Sequence, residues 1–86
     1  MAEYEVRFVT SAAYEFRSLP THVKDRVEVA VEELKINPRP LGVRKLKGHE
    51  RLYRIRIGQY RLVYEINDKA KLVRVTRVRH RREVYR

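Results

Sequence analysis

The sequence predicts an α+β fold in the order βααβββ, with a small, antiparallel-dominated sheet and two N-terminal helices packed on one of its faces. Apolar residues alternate with polar ones in segment 4–10 and again after residue 52, which is typical of half-buried strands. Between them, residues 22–36 place apolar side chains at steps of three and four, which indicates an amphipathic helix. Such strands and helices bury each other when the helices form one layer against the sheet.

The N-terminal half is predicted to form one strand and two helices. Residues 4–10, YEVRFVT, give the strand. Ser11 is expected to cap a short helix that Pro20 ends, and Thr21 to cap a longer one. The apolar seam of the longer helix consists of Val23, Val27, Ala30, Val31 and Leu34.

The C-terminal half is predicted to form three strands. Proline, asparagine and glycine in residues 37–42 indicate a loop. Residues 52–66 alternate on both sides of Gly58-Gln59, which predicts a hairpin with a tight turn. Residues 67–70 supply the next turn, and residues 71–79 are rich enough in β-branched side chains for a last strand.

Length and composition limit the classes of protein that fit. A chain of 86 residues predicts a single domain, 1–86, with one modest core. The absence of cysteine excludes disulfides, a thiolate nucleophile and a zinc site built on sulfur, as expected of a reducing cytosol. No signal peptide or membrane span is visible, so we expect a cytoplasmic protein without a membrane partner. No cofactor is predicted.

The positive charge lies in the second half of the chain. Residues 1–40 contain six Lys/Arg and seven Asp/Glu, whereas residues 41–86 contain fifteen and four. A one-sided basic field favours a polyanionic partner, most often nucleic acid. The alternative from composition alone is a basic protein with no such partner.

Basic side chains are expected to share one face of the sheet. In LYRIRI the two arginines point away from Tyr53, Ile55 and Ile57. Guanidinium groups suit phosphate because they donate paired, charge-assisted hydrogen bonds. The predicted phosphate-binding face takes Arg54, Arg56 and Arg61 from the hairpin and Arg77, Arg79 or Arg81 from the strand that follows, with Lys45 and Lys47 at its rim. The residues expected to bind RNA or the ribosome are Lys45, Lys47, Arg74, Arg77, Arg79 and Arg82. The alternative is a solvated strand face.

Metal-free cleavage of RNA needs a base for the 2′-hydroxyl proton, cations for the phosphorane and an acid for the leaving 5′-oxygen. Arginine serves the second task and is a poor base. His80 is a candidate general acid or general base. Tyr85 can relay a proton or stack on a nucleobase of the RNA. Glu28, Glu32 and Glu33 are expected to be a solvated helix face and not a metal site.

Three segments, KLKG at 45–48, LYRIRIGQYRLVYEI at 52–66 and VRHRREVYR at 78–86, resemble the RelE/ParE toxin superfamily, in particular its RelE-like branch. The resemblance covers nearly the whole chain. It implies a type II toxin that enters the ribosomal A site, cleaves mRNA there and stops translation. It also implies a cognate antitoxin that wraps the toxin in a hetero-oligomeric complex.

The resemblance also implies roles for single residues. Arg61 matches the arginine credited with phosphate stabilisation, Arg81 the C-terminal arginine, and Tyr85 the tyrosine that stacks on or activates the substrate. Arg54 and Arg56 stand where well-known members have lysines thought to take part in proton transfer, so either Tyr85 or His80 does more of the proton transfer here or turnover is slower. Two alternatives stay open: a ParE-like inhibitor that binds DNA gyrase, and a ribosome or RNA binder without catalysis.

Overall fold

Five strands and three helices follow one another in the computed structural model, which describes residues 3–46 and 51–84. Their bounds are β1 Glu5–Phe8, α1 Thr10–Arg17, α2 Thr21–Ile36, β2 Arg44–Lys45, β3 Leu52–Ile57, β4 Tyr60–Asn67, β5 Leu72–His80 and α3 Arg81–Val84. The predicted order is therefore confirmed, and two short elements, β2 and α3, are added to it.

The strands form one mixed sheet in the order β1-β5-β4-β3-β2. β1 runs parallel to β5, and the other neighbours are antiparallel. The hairpin of β3 and β4 turns at Gly58-Gln59, as predicted, and Gly58 adopts a φ of 62°. Glycine reaches such positive φ values without the strain that a Cβ would cause.

Helices α1 and α2 cover one face of the sheet and form the core with it. Ala12 of α1 and Val27 and Leu34 of α2 are fully buried, together with Leu62 and Val73 of the sheet. The predicted seam of α2 is confirmed, because its apolar residues lie in or against this core. No helix within the described residues is long and apolar enough to cross a membrane.

The predicted helix caps are wrong. α1 begins at Thr10 with Val9 in the capping position, and α2 begins at Thr21 with Pro20 there. Neither cap makes a side-chain hydrogen bond. Ser11 therefore lies one residue inside its helix. Pro20 has no backbone N–H, so it needs no hydrogen-bond acceptor at the start of α2. The fixed φ of proline also suits the start of a helix.

β5 contains a bulge that changes which side chains face the core. Thr76 is an extra residue between Val75 and Arg77, where the register with β4 shifts. Its Oγ1 donates a hydrogen bond to the Val63 carbonyl oxygen at 3.3 Å. Val75 and Val78 are three positions apart, yet both are buried in the core. The alternation of faces therefore shifts by one residue at the bulge.

The loop between α2 and β2 is tied to the sheet by two groups of hydrogen bonds. The buried Tyr64 hydroxyl donates to the Pro38 carbonyl oxygen at 2.8 Å. Arg39 donates two hydrogen bonds to the Asp68 carboxylate, at 3.1 and 2.9 Å, and the Tyr4 hydroxyl donates another at 2.6 Å. Arg39 first and Tyr4 second lower the pKa of Asp68 from 3.8 to about 2.

Candidate functional site

Several arginine side chains lie on the face of the sheet that points away from α1 and α2. We call this face the arginine face. Residues directly opposite each other on neighbouring strands share a face. The register pairs Arg56 with Arg61, and Arg61 with Arg79, in one row across three strands. Arg44 and Arg54 pair in a second row, which Arg77 continues beyond Val63. We call these six residues, Arg44, Arg54, Arg56, Arg61, Arg77 and Arg79, the arginine cluster.

Arg61 lies at the centre of the cluster and is only 4% exposed. It stands on β4, between Arg56 on β3 and Arg79 on β5. Its guanidinium group cannot lose its proton at neutral pH. Charges attract more strongly where water is excluded. Arg61 is therefore the most enclosed arginine of the cluster, where water would weaken a contact with an anion least.

Acidic side chains neutralise the rest of the arginine face but leave part of the cluster cationic. Glu65 pairs with Arg74 at 2.8 Å, and Glu5 pairs with Arg7 at 3.0 Å. Within the parts of the chain that the structure describes, Arg56 has no ion pair with an acid. The charge available to a polyanion is thus concentrated at the end of the sheet near the β3–β4 turn.

The bulge brings the C-terminal arginines to this face. Arg74 and Arg77 are three residues apart and both lie on the arginine face, because Thr76 shifts the alternation between them. Without the extra residue, Arg77 and Arg79 would point towards the helices. The convergence predicted for the hairpin and the last strand is therefore found, and it depends on Thr76.

Arg79 is held from the side by an acid of α1. The Glu15 carboxylate accepts a hydrogen bond from Arg79 Nε through one oxygen and from the Val78 backbone N–H, at 2.9 Å, through the other. Glu15 is 17% exposed. Arg79, predicted to bind RNA, is therefore already paired with an acid. Glu15 was not identified from the sequence. Its partners Val78 and Arg79 lie 63 and 64 positions further along the chain, and no local sequence pattern connects residues so far apart.

His80 lies on the opposite face from the arginine cluster. It is the last residue of β5 and stands opposite Tyr60, whose ring it meets edge-on with 5.4 Å between centroids. Its Nδ1 accepts a hydrogen bond from the Arg82 backbone N–H at 3.4 Å, an arrangement that favours the tautomer with hydrogen on Nε2. The structure therefore does not bring His80 together with Arg54, Arg56 and Arg61.

A cleft of about 400 Å3 opens beside His80 on the helix side of the sheet. It separates the C-terminal end of α1 from the ends of β4 and β5, and its walls include Tyr14, Glu15, Tyr60, Arg79 and His80. The sheet end thus has a cationic surface on one face and an aromatic-lined cleft on the other.

The prediction for the lysine rim needs correction. Lys45 stands opposite Tyr53 in the register, so it shares the face of the helices, and Arg44 takes its place on the arginine face. Sequence reasoning missed Arg44 because the register of the two-residue strand β2 cannot be inferred from its own pattern. Lys47 lies outside the described residues.

The C-terminal segment turns back onto the sheet. α3 contacts β4 and β5, and the Arg81 backbone N–H donates to the Gln59 carbonyl oxygen in the β3–β4 turn at 2.7 Å. Arg81 and Arg82 are exposed. Residues 81–84 therefore do not trail away from the sheet. Tyr85 lies outside the described residues.

Within the described residues, no three His, Asp or Glu side chains are grouped in a way that could hold a metal ion. Guanidinium groups held on the strands of a sheet, as in the arginine cluster, can bind phosphate groups through paired hydrogen bonds.

Comparison with known families identifies relatives over almost the whole chain. The family described as the ParE toxin of the type II toxin-antitoxin system parDE matches residues 6–85. Toxin RelE3 of Methanocaldococcus jannaschii is 32% identical over 94% of this chain and 94% of its own length. Toxin RelG of Mycobacterium tuberculosis is 37% identical over 96% of this chain and 97% of its own length.

Solved structures show the same fold. The archaeal RelE–RelB complex from Pyrococcus horikoshii contains a chain that is 30% identical, with a TM-score of 0.81 and 91% of this chain and 94% of that chain covered. The isolated Escherichia coli RelE toxin is 32% identical, with a TM-score of 0.80 and coverage of 95% and 90%. The α+β architecture of this chain is thus that of the RelE toxin structures.

Proposed function

The chain belongs to the RelE/ParE superfamily of toxins from type II toxin–antitoxin systems, and from this premise we propose that it is an mRNA interferase. In this proposal the toxin enters the ribosomal A site, cleaves the mRNA there and stops translation. The observation that carries the proposal is the arginine cluster with the buried Arg61 at its centre. Its geometry suits a phosphate group that gains charge during a reaction.

The proposed reaction is an attack of RNA on itself. The 2′-hydroxyl oxygen bonds to the adjacent phosphorus while a base takes its proton, and the bond from phosphorus to the next 5′-oxygen breaks. An acid gives a proton to that oxygen, so the products are a 2′,3′-cyclic phosphate and a 5′-hydroxyl end. No metal ion is required, because cationic side chains stabilise the phosphorane.

We assign phosphate stabilisation to Arg61 with Arg54 and Arg56 beside it, and to Arg81 on the family resemblance. Arg54 and Arg56 follow each other on the same face of β3, and Arg56 stands directly opposite Arg61. Paired N–H donors of guanidinium groups match the oxygens of a phosphate. Arginine at the two β3 positions adds charge but no base.

Proton transfer therefore falls to the C-terminal segment. We assign Tyr85 as base or stacking partner, on the family resemblance alone. His80 is the candidate acid or base, and Nε2 is the ring nitrogen left for the substrate, because Nδ1 accepts a hydrogen bond from the Arg82 backbone N–H. His80 ends β5, so it can reach substrate only around the end of the sheet.

Further basic residues are proposed to bind ribosomal RNA or mRNA beyond the reacting phosphate. They are Lys47, Arg74, Arg77, Arg79 and Arg82, with Arg44 in place of Lys45. Arg77 belongs to the cationic part of the arginine cluster, which supports its contact with RNA. Arg74 and Arg79, by contrast, form ion pairs with Glu65 and Glu15. The partner in the cell is a cognate antitoxin, as in the RelE–RelB complexes of its structural relatives.

The test is primer extension on mRNA in a reconstituted translation system, with and without ribosomes. Wild type is expected to cut within the A-site codon only when ribosomes are present. Arg61→Ala should lose at least about a hundredfold in rate, whereas Arg7→Ala, an equal charge change on the neutralised part of the arginine face, should cut like wild type. Circular dichroism confirms that the variants are folded. Uncut message with translation blocked would contradict catalysis and leave a ribosome binder.

A second function is favoured by the family match itself, because that family is described as ParE toxin. ParE-like members inhibit DNA gyrase. The arginine cluster argues against gyrase inhibition as the function of this chain. A gyrase supercoiling assay run beside the translation assay separates the two. Inhibited supercoiling with uncut message would establish the second function in place of the first.

A further inference from the structure

We propose that Glu15 is a positioning residue, which fixes the end of β5 and thereby the start of α3 with Arg81. The inference rests on the proposed cleavage of mRNA, whose site includes Arg81. It goes beyond that function because the reaction itself assigns no task to an acid in α1.

β5 continues past the strand that pairs with its outer edge. β1 ends at Phe8, opposite Val75, whereas β5 extends to His80. In the described part of the chain, no strand pairs with this last stretch of the outer edge. A backbone N–H that loses both water and a strand partner there needs another acceptor.

Glu15 supplies that acceptor from α1. One carboxylate oxygen accepts from the Val78 backbone N–H at 2.9 Å, and the other accepts from Arg79 Nε. Both bonds are charge-assisted, and Glu15 is 17% exposed, so water competes with them only weakly. The carboxylate therefore fixes both the backbone of β5 and the direction of one side chain of the arginine cluster.

The fixed stretch leads directly into the proposed site. β5 ends at His80 and α3 begins at Arg81, whose N–H donates to the Gln59 carbonyl oxygen at 2.7 Å. The start of α3 is thus held by the β3–β4 turn on one side and by Glu15, through Val78, on the other. If the Glu15 contact is lost, the unpaired outer edge of β5 is free to shift, and Arg81 shifts with it.

A role in stability alone predicts a different result. If Glu15 only stabilised the fold, its removal would lower the melting temperature. The rate of cleavage by folded toxin bound to the ribosome would not change. A positioning residue changes that rate, because displacements of about 1 Å cost large factors in catalysis. Binding to the ribosome should change little, since most of the cationic surface is untouched.

The experiment measures single-turnover cleavage of ribosome-bound mRNA as a function of ribosome concentration, below the melting temperature of every variant. Glu15→Ala is expected to lower the maximal rate about tenfold or more and to leave the half-saturating ribosome concentration within about twofold. Glu15→Gln should recover most of the rate, because its amide oxygen can still accept from Val78. Glu28→Ala, the same charge change on the exposed face of α2, should match wild type.

Equal maximal rates for wild type and Glu15→Ala would overturn the positioning role and leave the proposed function standing. A Glu15→Gln variant as slow as Glu15→Ala would overturn the anchor at Val78. If Glu15→Ala does not fold, Glu15→Asp, whose carboxylate is one methylene shorter, carries the same expectation. Wild type that cuts no ribosome-bound message would overturn the proposed function and this role together.

Discussion

Arg56 and Arg61 lie directly opposite each other on β3 and β4. Like charges in directly opposed positions destabilise a sheet, whereas opposite charges stabilise it. Opposite charges face each other between β4 and β5, where Glu65 stands opposite Arg74 and forms an ion pair with it at 2.8 Å. The same face therefore contains a pair of opposite charges and, nearer the β3–β4 turn, a row of opposed arginines, Arg56, Arg61 and Arg79. An anion bound between such groups would reduce their mutual repulsion.

Arg56→Gln is expected to stabilise the free toxin and to weaken its activity. Removing one of two opposed positive charges should raise the free energy of unfolding by about 0.5 kcal/mol at low salt. Urea unfolding of both proteins, with and without added phosphate, measures the effect. Phosphate should stabilise wild type more than the variant, since the variant has lost half of the Arg56–Arg61 pair.

Arg74→Gln is the matched control for Arg56→Gln. It removes an equal charge from the same face, but Arg74 is paired with Glu65, and the arginine opposite it on β1, Arg7, is paired with Glu5. Arg74→Gln should therefore leave stability unchanged or slightly lower it. A rise in stability equal to that of Arg56→Gln would mean that net charge, and not the opposed pair, causes the effect.

Asp68 should make stability fall in acid between about pH 4 and pH 2. Its pKa in the folded protein is about 2, below the ordinary 3.8, mainly because Arg39 and then Tyr4 donate hydrogen bonds to the carboxylate. A lowered folded pKa stabilises the fold above the unfolded value, and this contribution is lost as the pH falls through the folded value. Thermal unfolding of wild type and Asp68→Asn across this range measures it.

The Asp68→Asn variant should be less stable than wild type at pH 7 and should approach it near pH 2. Asp25→Asn, on the exposed face of α2, controls for the loss of one carboxylate. A difference between wild type and Asp68→Asn that stays constant from pH 7 to pH 2 would show that the Arg39 contact does not depend on the charge of Asp68.

Tyr64→Phe should destabilise the fold by about 1–3 kcal/mol, because it leaves the buried Pro38 carbonyl oxygen without its hydrogen bond. Burial raises the pKa of Tyr64, so its hydroxyl remains a donor at neutral and mildly alkaline pH. Urea unfolding at pH 7 gives the difference. Tyr14→Phe, at a position 63% exposed, should change stability little, and equal losses in the two variants would argue against the Pro38 bond.

The hairpin half of the site could be predicted from sequence. Strand side chains alternate with a period of two, so LYRIRI already places Arg54 and Arg56 on one face. The Gly58-Gln59 turn then fixes the register with the returning strand. Arg61 opposite Arg56 follows from that register, and only its burial needed the structure.

The C-terminal half could not be predicted in the same way. Thr76 has no sequence signal that distinguishes a bulge from a regular strand residue, yet it decides that Arg77 lies on the arginine face and His80 on the other. Glu15 reaches β5 only through tertiary packing. Arg44 depends on the pairing of β2, whose two residues contain too little pattern to fix a register.

The bulge and the charge pairs together predict which arginines of β5 contact RNA. Arg77 and Arg74 are both exposed on the arginine face, but Arg74 is engaged by Glu65. Arg77→Gln should therefore weaken binding to ribosomes and lower the slope of log affinity against log salt by about 0.7–0.9, the value of one phosphate contact. Filter binding from low to physiological salt measures both, and Arg74→Gln should change the slope little. Equal reductions in the two slopes would show that the ion pair with Glu65 opens on binding and that the whole arginine face follows the RNA backbone.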